Sequence, residues 1–425
     1  MSQTAFLLAE DEWQPALSIL SASACNLNDA GRKEYWATLA LRHTPGLGAR
    51  RQARLLRKFG SALAACEAVN DWRAVGIPSE CSINYKREAW RTSAKREWDC
   101  AHGTNAHIIL WNSASYPAQL RCIKDSPTLL YCLGDISLLS GPCIALVGTR
   151  QPTDYSRKVT SSFAESLSRC GITVVSGMAA GIDREAHMAA LTGSGSSIGI
   201  LGTGITIKYP ASNADIYTRM LERGLLVSEF PPDTAPAAAN FPIRNRIISG
   251  LSLGIVVMEA ATRSGSLITA RLALEQDREV FAVPGPALNA HSLGCQNLIR
   301  QGARPVFCVD DIFRDLKDSL KTYTLDKNKP VVSNFLYPEL PNPLQPGETS
   351  KKEDREIGGD TSIINSLLSD SDKVIVCLRN HDILDQDALL ALTGLTPPEL
   401  NAALLGLEML GRIDRLPGAR IRLLA

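Results

Sequence analysis

Six short apolar runs, each followed by a stretch long enough for a helix, limit what this chain can fold into more than any other feature of it. They are CIALVG (143–148), ITVVSG (172–177), SIGILG (197–202), LLVSEF (225–230), GIVVMEA (254–260) and EVFAVPG (279–285). None alternates cleanly between apolar and polar residues, so both faces of each strand need cover, the condition of a parallel strand between two layers of helix. The expectation is an open, doubly wound, Rossmann-like α/β sheet domain spanning 116–317. The glycine turns then gather at the carboxyl edge of the strands, and any ligand sits in the crevice there.

A chain of 425 residues with 45% hydrophobic content exceeds one ordinary core, so two or three domains are expected. The formal net charge of +1 means that affinity for nucleic acid has to come from local patches. Eleven cysteines stand singly, with no CxxC pair and no histidine spacing suited to zinc, which reads as reduced thiols in a cytoplasmic compartment. The opening MSQTAFLLAEDEW lacks a basic stretch before a long apolar run, and no uncharged run approaches about 18 residues, so no membrane insertion is expected.

Residues 1–35 carry no motif and read as an extension of unknown role. The stretch 36–115 reads as a helical module, similar to helix-hairpin-helix or SAM-like folds, in which PGLG (45–48) joins two helices by a tight turn. It holds 12 Lys/Arg against 6 Asp/Glu. Arg50, Arg51, Arg54, Arg57 and Lys58 follow the turn, so the module either holds a phosphate at the glycine amides or presents a solvated basic face. Residues 318–360, with five prolines and mixed charge, read as a linker. The last stretch, 361–425, has the order helix, helix, helix, hairpin of a winged helix, with Thr396 capping the helix after Pro397.

A nicotinamide site fails on the residues. After CIALVG comes TRQPTD rather than xGxxG, Pro152 sits in the turn, and the second strand ends in Ser176-Gly177 where an acidic residue would hold a ribose. No cofactor or metal is expected. The turns offer backbone amides and helix starts instead: Gly148-Thr149, SGMAAGID with Gly177 and Gly181, GTG (202–204), and RSGS with Ser264 and Gly265. Arg150, Lys208, Arg244, Asn245 and Arg246 add charge and donors, so the crevice suits several consecutive phosphates rather than one pyrophosphate. Taken one at a time, each glycine is equally a means of making a tight turn. Asp183 and His187, four apart at a helix start, read as a cap and its neighbour rather than an acid/base pair. Glu229 and Glu259 keep an enzyme reading alive, although carboxylates there also serve as partners for arginines.

Together these motifs resemble the DNA-processing protein A family, also called Smf. The resemblance runs from SYPAQLRCIKDSPTLLYCLGD (115–135) through VGTR, SGMAAGID, LGTGITIKYPASN, SEFPP, FPIRNRIISGLS, EAATRSGSLITARLALEQ and LGCQNLIRQGA. It implies a non-enzymatic, cytoplasmic, single-stranded DNA binder that protects incoming strands in natural transformation and loads the RecA recombinase onto them in homologous recombination. It implies a phosphate pocket at Arg150 and Lys208, and a homodimer through Leu298 and Ile299, with Pro305 standing where an apolar residue is more usual. The winged helix holds 6 Lys/Arg against 8 Asp/Glu, which suits a protein contact at least as well as DNA. The competing reading is a phosphoribohydrolase-like enzyme of the related nucleotide-binding superfamily, whose PGGxGTxxE signature is replaced here by TRSGSLITARLALEQ.

Overall fold

The computed structural model describes residues 27–324 apart from 287, and a set of residues between 373 and 423. The expected extension up to residue 26 and the expected linker from 325 to 360 lie outside the described residues.

Five helices come first: α1 Asp29–His43, α2 Ala49–Phe59, α3 Ala62–Glu67, α4 Ser79–Lys86 and α5 Arg91–His102. Helix α1 starts within the stretch read as an extension, because the Asn28 side chain caps it by accepting from the Gly31 amide at 2.9 Å. Nine strands then form one sheet: β1 His107–Leu110, β2 Leu129–Gly134, β3 Cys143–Val147, β4 Thr173–Ser176, β5 Ser197–Ile200, β6 Leu225–Ser228, β7 Gly254–Val257, β8 Glu279–Ala282 and β9 Arg304–Pro305. The helices among and after them are α6 Ala118–Arg121, α7 Asp154–Arg169, α8 Ile182–Ala190, α9 Ala214–Arg223, α10 Asn240–Leu251, α11 Ser266–Glu275, α12 Leu293–Arg300 and α13 Val309–Thr324.

All six apolar runs are strands, and they pair in parallel in the order β6-β5-β4-β3-β7-β8. The exposed two-residue strand β9, which holds Pro305, adds a parallel edge beyond β8. On the other edge β2 runs antiparallel to β6, and β1 antiparallel to β2. Strand β1 lies inside the stretch assigned to the helical module, so the sheet begins about nine residues before the expected start at 116. Helix α13 likewise runs past the expected end at 317.

Alternate residues of the central strands face opposite layers, as the pleat dictates. Ile144 and Leu146 pack with Phe163 and Leu167 of α7, Ile182 and Ala186 of α8, and Ile312 and Phe313 of α13. Ala145 and Val147 face the other layer, where Ile247 and Ile248 of α10 lie in one continuous core with Tyr35, Leu39 and Trp98 of the amino-terminal helices. The helical module therefore shares its core with the sheet.

That shared core is laced by a buried polar seam. Glu97 accepts from Arg42 (3.2 Å), His43 (2.6 Å) and the Tyr131 hydroxyl (2.8 Å), and Tyr131 meets the Tyr35 hydroxyl at 2.8 Å. Burial opposes the charge on Glu97, but Arg42 and the His43 hydrogen bond outweigh it and hold the carboxyl below its ordinary value. Arg42 also donates to the Glu229 carbonyl, which ties α1 to the end of β6.

The carboxyl-terminal unit has its own core of Val374, Leu378, Leu389, Leu400, Leu404, Ile413 and Ile421. Its helix α14 Gln386–Thr393 is capped by Asp385, and a three-stranded antiparallel sheet is ordered β10 (Leu384–Asp385), β12 (Arg420–Leu423), β11 (Ile413–Leu416). At the expected cap Thr396, it is the Glu399 carboxylate that accepts, from the Thr396 amide at 2.9 Å and hydroxyl at 2.7 Å, the glutamate half of a capping box.

Candidate nucleic-acid interface

Strand order reverses between β3 and β7, the point at which an open α/β sheet leaves a crevice at its carboxyl edge. An open groove of about 610 Å³ lies there. The turn after β3 lines it with Gly148, Thr149 and Arg150, the turn after β7 with Ser264, Gly265 and Ser266, and α10 with Phe241, Arg244 and Asn245. A smaller recess of about 90 Å³ adjoins it through Arg150, Ala179, Tyr209 and Phe241, which line both.

Arg244 is buried, and among the described residues its guanidinium donates to the carbonyls of Gly177 and Ile200. Burial pushes it down to about 10, Asp183 opposes that, and the positive charge of Arg150 adds to it. Arg150 is exposed, and no ion pair is formed by it among the described residues. Both guanidiniums stand 5.9 Å from the centroid of the Phe241 ring, one from the turn and one from the helix. Tyr209 completes the cluster with its ring centroid 5.5 Å from that of Phe241. Two cations that repel each other beside one aromatic ring, one of them exposed to solvent, give the groove a positive potential that favours an anion.

The glycines divide by role. Gly177 is pressed against Arg244, since a Cβ there would lie 2.4 Å from the guanidinium. Gly181 has φ +83° and packs on the carbonyls of Thr149 and Arg150, so it shapes the turn from behind and does not line the groove. Gly265 has nothing within 4 Å of where a Cβ would stand and is open to the groove.

Besides Gly181, two expected contacts fall elsewhere. Arg246 points away from the groove into the seam, where it pairs with Glu229 and lies 4.0 Å from Asp125. Two residues along a helix turn a side chain by about 200°, so Arg244 and Arg246 cannot share a face. Lys208 is exposed beside Tyr209 and lines neither cavity, which places it at the rim. Phe241 and Tyr209 were not among the expected contacts, and their only sequence trace is an aromatic residue heading FPIRNR and another heading YP.

The remaining titratable groups serve structure. Asp183 accepts from the amides of Gly177 (3.1 Å) and Ala179 (3.3 Å), which fixes the turn after β4. His187 is fully buried, accepts from the Met178 amide at Nε2 (3.3 Å) and meets Ser197 at Nδ1 (2.7 Å), whose hydroxyl donates to the Val174 carbonyl. The ring is thus a neutral Nδ1–H tautomer, and burial lowers it to about 3. Glu259 accepts from the Thr153 amide at 2.9 Å, and Glu229 is taken by Arg246.

Fold and site define a Rossmann-like α/β protein with an arginine-lined crevice at the switch point and an appended winged helix. Residues 107–317, starting at the first residue of β1, match the family model described as DNA recombination-mediator protein A, and 364–419 match the DprA winged helix domain. The chain is 44% identical to the DNA processing protein DprA of Bacillus subtilis over 253 residues, 59% of this chain and 83% of that one. It is 34% identical to the protein Smf of Synechocystis over 324 residues, 74% and 80% of the two chains. The solved structure of DprA from Streptococcus pneumoniae matches with a TM-score of 0.59 at 31% identity, over 66% of this chain and 97% of that one. The chain belongs to the DNA processing protein A (DprA/Smf) family.

Proposed function

We propose that the crevice holds the backbone of single-stranded DNA, that the protein protects incoming strands in natural transformation, and that it loads RecA onto them for recombination. The observation that carries the DNA reading is the pair of guanidiniums close to one aromatic ring in an open groove. A phosphate fits between the charges and the amides at Gly148 and Gly265, and an unstacked base fits against Phe241 and Tyr209, a face that duplex DNA does not offer. Lys208 at the rim adds a mobile charge. Binding rather than chemistry is favoured because each carboxylate near the crevice, Asp183, Glu229 and Glu259, is engaged by an amide or an arginine. RecA loading draws its support from the family's description as a recombination mediator.

Self-association is assigned to α12, where Leu298 and Ile299 are half-buried and Leu293 is exposed, and Leu274 of α11, 60% exposed, adds to the apolar surface of this part of the chain. Ile299→Arg places a charge in a self-packing patch, so sedimentation should then give monomers. An unchanged dimer would move the interface elsewhere.

The test of the function is a binding titration of single-stranded against duplex DNA at two salt concentrations, followed by RecA filament assembly on a strand precoated with single-strand-binding protein. Preference for the single strand and faster filament growth are expected. Equal affinity for the two forms would overturn the crevice reading, and unchanged filament growth the loading role.

A further inference from the structure

Helix α2 departs from what stability alone would select. Its exposed residues, Arg50, Arg51, Arg54, Arg57 and Lys58, are all cations. None of them, nor the exposed Lys124 whose carbonyl Arg57 grips at 3.2 Å, has an acidic partner among the described residues. The arginines donate to carbonyls instead: Arg51 to Gly46, Arg54 to Gly76 at 3.3 Å, and Arg57 to Ile123 at 3.2 Å. Such bonds orient the heads without neutralising them.

The start of the helix is unusual in the same sense. Gly48 at the N-cap supplies no side-chain acceptor, and the first turn holds no acid and two arginines against the positive end of the helix dipole. Packing does not demand glycine at this position, since its φ is −69° and a Cβ would meet nothing within 4 Å. Gly46, two residues earlier, has φ +83° and does need to be glycine. An open, positive helix start followed by a row of unpaired cations breaks local rules in the way functional surfaces do.

We propose that this face of α2, with Gly48 at its start and Lys124 beside its last turn, is a second phosphate-tracking surface that takes the backbone of the DNA strand beyond the crevice. The proposal rests on the reading that the crevice holds single-stranded DNA. An acidic protein is the less fitting partner, because no large apolar side chain is exposed on α2 and protein interfaces draw their affinity from a desolvated apolar centre. Spaced charge suffices for phosphates. The surface is also held in register with the crevice: the segment gripped by Arg57 carries Asp125, 4.0 Å from Arg246 on α10, and α6 packs on α10.

The test uses the full chain and two oligothymidylates, one of roughly 6 nucleotides, at the low end of single-strand site sizes, and one about five times longer. In the triple variant Arg50→Glu/Arg54→Glu/Lys58→Glu, affinity for the long strand should fall on the order of tenfold and its log–log salt slope should lose about 2, at roughly 0.7 per phosphate contact. The short strand should bind as before. Gly48→Asp separates binding from folding: it supplies the missing cap, so thermal stability should hold or rise, while long-strand affinity falls. Unchanged long-strand affinity and slope in folded variants would overturn the proposal, as would loss of binding to polyglutamate with DNA binding intact, which would make the face a protein site. If Arg150→Glu spares both strands while the α2 variants weaken the long one, the crevice reading fails and the α2 surface stands alone.

Discussion

Arg244 and Arg246 lie two residues apart on α10, and the regions they face treat positive charge in opposite ways. In the seam, Arg246 meets Glu229, and Arg42 meets Glu97, so each buried guanidinium has a carboxylate and the charges close on themselves. In the crevice, Arg244 donates to carbonyls with Asp183 near enough to ease its burial, and Arg150 meets none of the carboxylates described, so the charge of Arg150 stays open to solvent. One arrangement fastens the helical module to the sheet. The other leaves positive potential facing solvent, and the pairing of an arginine, more than its burial, separates the two.

The contrast can be broken most forcefully at Arg246. Arg246→Ala strips the buried Glu229 of its partner, and urea unfolding should give a loss of about 3–5 kcal/mol, with DNA affinity of the folded protein little changed. A loss confined to DNA binding would mean that the two arginines do the same work. Arg150→Glu should do the reverse: single-strand affinity falls on the order of 100-fold through loss of a charge-assisted contact and added repulsion, with the unfolding midpoint unaffected. Unchanged binding would remove the crevice as the DNA site.

His187 sharpens the comparison through pH. Its folded value near 3 lies below the ordinary 6.5, so the unfolded chain takes up a proton that the folded one refuses. Stability from this group is fully present above pH 6.5 and declines as pH falls toward 3, at about 1.4 kcal/mol per pH unit, or about 2 kcal/mol by pH 5. His187→Gln should flatten that part of the profile in acid unfolding series, and equal slopes in the two proteins would contradict a neutral buried ring. The smallest effect belongs to the rim: Lys208→Ala should weaken single-strand binding only a few-fold and reduce the salt slope by about 0.7. A loss as large as that of Arg150→Glu would place Lys208 inside the groove.

Much of the fold was legible because burial on both faces leaves an unbroken apolar run, and all six such runs are strands of the sheet. Arg150 and Gly148 were legible for a related reason: a turn directly after a strand of a doubly wound sheet has few places to go except the carboxyl edge. The antiparallel edge was not, since HIIL (107–110) follows a helical stretch and its pairing with Leu129–Gly134 is a long-range choice that no local pattern records. For that reason the sheet takes in a strand ahead of residue 116, and the helices and the sheet share one core.

The sequence by itself marked the glycine turns, the RNR triplet and the cations of α2 as candidates, all readable as types, and left Tyr209 and Phe241 unmarked. Only the tertiary structure decided how each is used. Helical rotation sends Arg244 to the crevice and Arg246 to Glu229, although the two are alike on paper. The chain brings Arg150, Tyr209 and Phe241 together from three separate segments. Charge and apolar period are properties of a residue and its neighbours in the chain, whereas whether an arginine finds a carboxylate is settled by which elements pack together.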